Sequence, residues 1–99
     1  MDNNRVQATG PIAERMDIGD VRLKWESFGW QVIELDGHNI NQICDALDQA
    51  DDIKDRPVLL LANTLKGKGI TFAEGQAAFH NGALTHEQAM QAHADIDAM

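Results

Sequence analysis

The sequence predicts an α/β fold built on parallel strands. Residues 30–35 carry the alternating, β-branched pattern of a strand, and residues 58–62 form a short continuous apolar run, which is typical of a strand covered on both faces. Between them, apolar side chains recur at helical spacing over residues 40–47. The order strand, helix, strand is that of a βαβ unit, in which the two strands are parallel.

A first helix is expected before the first strand. Asp20 precedes Val21, Trp25 and Phe28, which lie at spacings of four and three and predict one apolar helix face. Gly29 follows at the position of a C-terminal helix cap.

The central helix is expected to begin after Asn39, a residue type that commonly caps helices. The residues predicted to form its buried face are Ile40, Ile43, Cys44 and Leu47. Cys44 would then be a small buried apolar residue. A last helix, to about Ile96, is expected to follow Thr85 and Gln88, which are spaced as in a capping box.

Composition excludes several function classes. The 99 residues include 8 Lys and Arg against 16 Asp and Glu, so the net charge of −8 opposes binding to nucleic acid or to acidic membranes. The single cysteine cannot form an internal disulfide, and no apolar run resembles a signal peptide or a membrane span. We therefore expect a cytoplasmic protein.

Two segments are predicted to be loops. Residues 2–11 are polar and show neither helical nor strand periodicity. The second loop follows the apolar strand and begins with residues 66–69, which lack the spacing of a phosphate-binding P-loop. Ligands of open α/β sheets bind at the carboxyl ends of strands, so this second loop is a predicted binding segment.

Several short motifs together carry a family resemblance. They are Asp-Asn-Asn-Arg-Val-Gln-Ala-Thr-Gly at 2–10, Lys-Trp at 24–25, Phe-Gly-Trp at 28–30, Val-Ile at 32–33, Asp-Gly-His at 36–38, Thr-Leu-Lys-Gly-Lys-Gly at 64–69, and His80. In this order they resemble the C-terminal portion of the thiamine-diphosphate-binding domain of transketolases, in the split type with an N-terminal-half subunit. The resemblance implies an incomplete βαβ-type fragment of that parallel-sheet domain.

The resemblance implies a cofactor site. The amide oxygen of Asn4 and the backbone carbonyl of Val6 would bind the Mg²⁺ or Ca²⁺ ion that holds the diphosphate, and His80 would be a catalytic and cofactor-binding residue. The family's Gly-Asp-Gly triplet, which supplies an aspartate ligand, does not occur in this sequence. Two neutral oxygens offset little of the cost of dehydrating Mg²⁺, so we expect no tight metal binding by the chain alone.

The resemblance also departs from the family pattern near His80. The usual His-Gly is here His80 followed by Asn81, with Gly82 one place later. The other histidines, His38, His86 and His93, are expected in a turn, at a helix start and on a helix surface, without the spacing of a metal cluster.

The implied reaction is transfer of a two-carbon ketol unit between sugar phosphates, as in pentose phosphate metabolism, with thiamine diphosphate as cofactor. The partner would be a transketolase C-terminal-half subunit carrying the pyrimidine-binding domain, in an oligomer, and the chain alone would be inactive. The alternatives are a non-catalytic remnant or interaction module, or a fragment of a related enzyme such as deoxyxylulose-phosphate synthase. We assign residues 1–19 to a metal and cofactor loop, 20–64 to the core, 65–84 to an active-site loop and 85–99 to the C-terminal helix.

Overall fold

The structure is a computed structural model that describes residues 1–99. The elements in chain order are β1 (Asp2–Asn3), β2 (Val6–Gln7), β3 (Gly10–Pro11), α1 (Ile12–Arg15), α2 (Val21–Ser27), β4 (Gln31–Asp36), α3 (Ile40–Asp52), β5 (Val58–Asn63), a 3-10 helix (Ala77–His80) and α4 (His86–Asp97). They form two compact units. The first contains Met1–Asn4 and Ile18–Thr64, and the second contains Arg5–Asp17 and Leu65–Met99.

The first unit is built on a parallel sheet with the strand order β1-β5-β4. This confirms the α/β class and the βαβ order of β4, α3 and β5. The short strand β1 was not predicted, because two residues are too few to show a period. It pairs with β5 through Asp2 opposite Ala62 and Asn3 opposite Asn63, and the backbone N–H of Ala62 donates to the Met1 carbonyl at 3.0 Å.

Both faces of β4 are covered. Val32 and Leu35 point to opposite faces of the strand, and both are buried. The helices α2 and α3 both contact β4. The core of this unit is completed by Leu61 on β5 and Ala46 on α3.

Side-chain caps begin both helices of the first unit, and the cap by Asn39 was predicted from the sequence. The carboxylate of Asp20 accepts from the backbone N–H of Leu23 at 2.9 Å, and Asn39 accepts from Gln42 at 3.2 Å. Gly29 ends α2 with a positive φ of 86°. These contacts satisfy N–H groups that have no partner within the helix.

The predicted buried face of α3 was partly wrong. Ala46 is buried and Ile43 is half-buried, whereas Cys44 is exposed. Ile40 and Leu47 are 70% and 52% exposed. A periodic stripe defines a helix face but does not tell which position lies deepest against the sheet, and the buried residue of α3 is Ala46, which lies outside the predicted set.

The same correction applies to α2. Trp25 is half-buried and stacks edge-on against Trp30, with ring centroids 4.9 Å apart, but Phe28 is 80% exposed. Phe28 is the C-cap residue of this helix, so it has left the helical path that the spacing assumed.

The second unit has little buried core. Its antiparallel pair β2 and β3 leads into α1, and only Ala73 among its hydrophobic residues is fully buried. Phe72 and Phe79 contact each other with centroids 5.2 Å apart. The predicted capping box is confirmed, because Thr85 accepts from the Gln88 backbone and the Gln88 side chain accepts from the Thr85 backbone. None of the helices is long and apolar enough to cross a membrane.

Candidate functional site

The carboxyl ends of the three parallel strands form one edge of the first unit. In this register Asn3, Asn63 and Asp36 lie in one row across β1, β5 and β4. Asn4 follows β1 directly, and Thr64 follows β5. The sequence predicted that a ligand would bind at strand carboxyl ends, and the structure collects amide and carboxylate groups there.

Asn4 is held by a contact with a neighbouring carboxylate. Its Nδ2 donates to Asp2 Oδ2 at 3.0 Å, and the other carboxylate oxygen, Oδ1, accepts from the hydroxyl of Thr64. The three side chains therefore form a hydrogen-bonded chain that connects the end of β5 to the segment after β1.

A second set of hydrogen bonds crosses the whole sheet. Asn3 Nδ2 donates to Asn63 Oδ1 at 2.7 Å, and Asn63 Nδ2 donates to Glu34 Oε1 at 2.7 Å. Glu34 also lies 3.7 Å from the guanidinium of Arg22 on α2. These contacts fix the polar edge by connecting one side chain from each strand.

The chain leaves this edge through an unusual backbone conformation. Arg5 has φ of 60°, in the left-handed region, and it is the only residue other than glycine with positive φ. Such a conformation costs about 1 kcal/mol or more for a residue with a Cβ and is often retained at functional segments. Arg5 lies between the two predicted metal ligands, Asn4 and Val6.

Val6 and His80 lie on neighbouring elements of the second unit. Val6 begins β2, which contacts the 3-10 helix that ends at His80. The sequence predicted this helix segment as part of a loop. Asn81 is its C-cap residue, so the departure from the family's His-Gly pattern falls where the helix ends.

His80 contacts a lysine that is not among the predicted site residues. Lys66 Nζ lies 3.3 Å from His80 Nδ1. An ammonium group can only donate, so a hydrogen bond here requires Nδ1 as the acceptor, in the tautomer whose proton is on Nε2. The pair thus presents an N–H donor beside a positive charge, which suits a phosphoryl or hydroxyl oxygen. Spacing could not reveal this contact, since 14 residues separate the two side chains.

The segment that carries Lys66 is closed on itself by hydrogen bonds. The N–H of Gly75 donates to the Lys66 carbonyl at 2.8 Å, and the N–H of Gly69 donates to Glu74 Oε1 at 3.0 Å. Gly67 and Gly69 both have positive φ, as expected for a tight exit after a strand.

A carboxylate on α4 anchors the same segment. Asp95 Oδ2 accepts from both the N–H and the hydroxyl of Thr71 at 2.8 Å, and Gln91 donates to Asp95 Oδ1 at 2.7 Å. The Thr71 N–H, then Gln91, then the Thr71 hydroxyl lower the pKa of Asp95 below its ordinary value.

The lowered pKa predicts a pH dependence of this anchor. The folded chain favours the ionised carboxylate of Asp95. Its contribution to the stability of the fold is therefore complete above the ordinary carboxyl pKa, and it is lost as the pH falls through the lowered pKa. We expect the amide resonance of Thr71 to titrate in that acidic range in nuclear magnetic resonance spectra. Asp95→Asn should remove this titration, whereas Asp97→Asn on the same helix should leave it; an unchanged titration in Asp95→Asn would contradict the assignment.

The structure contains no group of three or more His, Cys, Asp or Glu side chains arranged to hold a metal ion. Asn4 and Val6 offer an amide and a carbonyl oxygen, which match a hard divalent cation in chemical type. His38 lies in the turn after β4, and His86 and His93 lie on α4, as predicted.

Comparison with known proteins assigns the family. A family model described as "Transketolase, thiamine diphosphate binding domain" matches residues 1–97. The chain belongs to this family. The matched residues include the polar edge at the strand ends and the segment from Lys66 to His80. The domain family that contains both features binds thiamine diphosphate.

Some of the similar proteins are named as transketolase subunits, and others are named as transketolases. The chain is 40% identical over 96 residues to the 6-deoxy-6-sulfo-D-fructose transketolase subunit of Clostridium sp. (strain MSTE9), covering 97% of this chain and 35% of that protein. It is 38% identical over 88 residues to a subunit of the apulose-4-phosphate transketolase of Phocaeicola vulgatus, covering 89% and 31%. Human transketolase is 37% identical over 93 residues, covering 92% and 14%. The chain therefore spans about a third of the subunit relatives.

Solved transketolases share the fold. The crystal structure of transketolase from Campylobacter jejuni matches with a TM-score of 0.86 and 27% identity, covering 97% of this chain and 15% of that one. A transketolase structure from Pichia stipitis matches with a TM-score of 0.83 and 27% identity, over 92% of this chain and 14% of that one. The parallel sheet and its polar edge therefore belong to a transketolase-type domain.

Proposed function

We propose that this chain is the part of a transketolase-like enzyme that helps to hold thiamine diphosphate during transfer of a two-carbon ketol unit between sugar phosphates. Family membership over residues 1–97, with Asn4 at the carboxyl end of β1, is the observation that carries this proposal. A cytoplasmic location is part of it.

The proposed metal ion is Mg²⁺ or Ca²⁺, bound by the side-chain oxygen of Asn4 and the backbone carbonyl of Val6. Both donors are neutral oxygens of the kind that these cations prefer. Arg5, the one residue between the two ligands in the sequence, has the left-handed backbone conformation that is often retained at functional segments. Further oxygens would come from the diphosphate and from other protein groups.

His80 and Lys66 are proposed to act on the cofactor and substrate side of the site. Thiamine diphosphate, when bound, supplies the nucleophilic carbon and the electron sink of ketol transfer. The Nε2–H of His80 would donate to a substrate or phosphoryl oxygen, and Lys66 would hold the imidazole in this tautomer through Nδ1. The positive charge of Lys66 would favour an anionic substrate, consistent with the sulfo-sugar and sugar-phosphate names of two relatives.

The proposed partner is a C-terminal-half subunit that carries the pyrimidine-binding domain, in an oligomer. Two relatives are named as transketolase subunits. The chain also exposes many large hydrophobic side chains, which are typical of surfaces covered in an assembly. The most exposed of them are Met99 at 85%, Phe28 at 80%, Met16 at 71% and Ile40 at 70%.

Co-expression with a transketolase C-terminal-half subunit tests the proposal. With a segment that carries the family's Gly-Asp-Gly triplet supplied as well, we expect a purified complex with ketol-transfer activity that requires added thiamine diphosphate and Mg²⁺, and no activity from the chain alone. Asn4→Ala should reduce activity to background, because it removes a metal ligand and leaves the fold intact.

Gln49→Ala is the matched control, because Gln49 is an exposed amide residue in the last turns of α3, at the end of the helix opposite to the carboxyl end of β4. It should retain the activity of the unmodified complex. A complex without activity would support the alternative of a non-catalytic interaction module, and absence of both complex and activity would refute assembly-dependent function.

A further inference from the structure

We propose that Asp2 and Thr64 are positioning residues that fix which way the side-chain amide of Asn4 faces. The inference rests on the proposed role of Asn4 as a ligand of the divalent cation. Neither residue would bind the metal in this proposal. Each would act through the Asn4 amide.

The Asp2 carboxylate determines which end of the Asn4 amide faces it. An ionised carboxylate only accepts hydrogen bonds, and of the two amide branches only Nδ2 can donate. Nδ2 lies 3.0 Å from Asp2 Oδ2, so the planar group directs its oxygen to the side away from Asp2. If the amide were reversed, Asn4 Oδ1 would face Asp2 Oδ2. The N–H groups of Nδ2 would then lie on the side away from Asp2, where the proposed cation would bind.

Thr64 fixes the carboxylate itself. Its hydroxyl donates to Asp2 Oδ1, while Oδ2 accepts from Asn4, so the two carboxylate oxygens have different partners. Rotation of the Asp2 side chain would break both contacts. Hydrogen bonds to a charged acceptor are about twice as strong as neutral ones, which makes this an effective support.

The sheet provides the rigid base of this arrangement. Thr64 follows β5, the central strand, which is hydrogen-bonded on both sides. Asp2 lies in β1, and the amino group of Met1 also donates to the Leu60 carbonyl at 2.7 Å. Gly37 leaves room for the Thr64 side chain, since a Cβ at that position would collide with it. The orientation of the Asn4 amide therefore depends on the pairing of β1 with β5.

Metal ligands generally depend on such supporting contacts. Replacing an outer partner of a ligand weakens metal binding about tenfold or more, because the ligand loses its fixed orientation. The effect should be strong here, because an asparagine amide is neutral and can reverse at small cost in the absence of a partner. The carboxylate of Asp2 and the hydroxyl of Thr64 thus fix the orientation of Asn4, as a hydrogen bond to the second ring nitrogen fixes the orientation of a metal-bound histidine.

The first test observes the metal-free chain of 99 residues by nuclear magnetic resonance. The side-chain amide protons of Asn4 should be well separated in chemical shift, with the proton that faces Asp2 protected from exchange. Thr64→Val removes the hydroxyl and keeps the shape, so it should reduce this protection about fivefold. Thr64→Ser keeps the hydroxyl and should restore it.

The second test adds Mn²⁺ at millimolar concentrations, where even weak binding broadens nearby resonances. We expect selective broadening at residues 4–6, with a midpoint about tenfold higher in Thr64→Val and near the original value in Thr64→Ser. Thr64→Val retains the negative charge of Asp2. A change in the Mn²⁺ midpoint therefore reports a change in the orientation of the Asn4 amide, and not a loss of electrostatic attraction between Mn²⁺ and Asp2.

The outcomes separate this inference from the proposed function. If Thr64→Val leaves both the Asn4 amide signals and the Mn²⁺ midpoint unchanged, the positioning role is wrong. If Asn4→Ala leaves the broadening unchanged, or the wild type shows none, the metal-ligand role fails, and the positioning inference falls with it. If Thr64→Val does not fold, as judged by circular dichroism, Asp2→Asn must abolish the amide protection for the inference to stand.

Discussion

Leu61→Ala is expected to lower the free energy of unfolding of the first unit by about 3 kcal/mol, as large buried side chains do when a cavity replaces them. Leu61 is 3% exposed and lies on β5, between the two other strands of the sheet. Few large side chains share this burial: Leu35 at 7% and Val32 at 2% are the others in this unit. Because small domains have little stability to lose, the variant should be largely unfolded at room temperature.

Urea denaturation followed by circular dichroism measures this effect. Leu23→Ala is the matched control, because it removes the same atoms from a leucine that is 61% exposed on α2. It should change the free energy of unfolding by less than about 0.5 kcal/mol. Equal effects of the two substitutions would mean that the sheet does not form the stable core of this unit.

Gly67→Ala is expected to destabilise the segment after β5 by about 3 kcal/mol. Two causes combine: φ at this residue is 72°, which an alanine adopts only with strain, and an added Cβ would lie 2.6 Å from the Ala73 carbonyl oxygen. The backbone on one side must therefore move. The contact between Lys66 and His80 should weaken with it, because Lys66 precedes the displaced residue.

Hydrogen exchange at the Gly75 amide measures the opening of this segment, since that N–H donates to the Lys66 carbonyl. Gly75→Ala separates the two causes. Gly75 has a similar φ of 69°, but the nearest atom to a Cβ added at this residue is Leu65 Cδ1 at 3.9 Å. We expect it to cost only about 1 kcal/mol. If Gly67→Ala destabilises the segment no more than Gly75→Ala does, the close approach of residue 67 to Ala73 does not contribute to the loss of stability.

The predicted site residues separate into two groups in the structure. Asn4 lies with the strand ends of the first unit, whereas Val6 and His80 lie on neighbouring elements of the second. The left-handed Arg5 marks the boundary. Their roles as ligands and catalyst remain predictions, which the complex and its Asn4→Ala variant would test.

Sequence pattern was reliable where one element follows its own period. The starts of α3 and α4 were predicted from Asn39 and Thr85, because a capping side chain acts on backbone groups two or three residues away. The strands β4 and β5 were predicted from their apolar content. These signals are local, so one sequence suffices to read them.

Pattern failed where burial depends on a neighbouring element. Cys44 belongs to an apolar stripe yet is exposed, whereas Ala46, outside that stripe, is buried. The pairing of β1 with β5 joins residues about 60 positions apart, and the contact of Lys66 with His80 joins residues 14 apart. No spacing rule applies to such pairs.

The sequence by itself therefore determined the α/β class, the helix caps and the motifs that resemble transketolases, since these depend on near neighbours along the chain. Only the tertiary structure decided that Asp2, Asn4 and Thr64 form one hydrogen-bonded group and that Lys66 faces His80. The reason is physical: a side chain's partners depend on strand register and backbone turns, which bring distant residues within hydrogen-bonding distance.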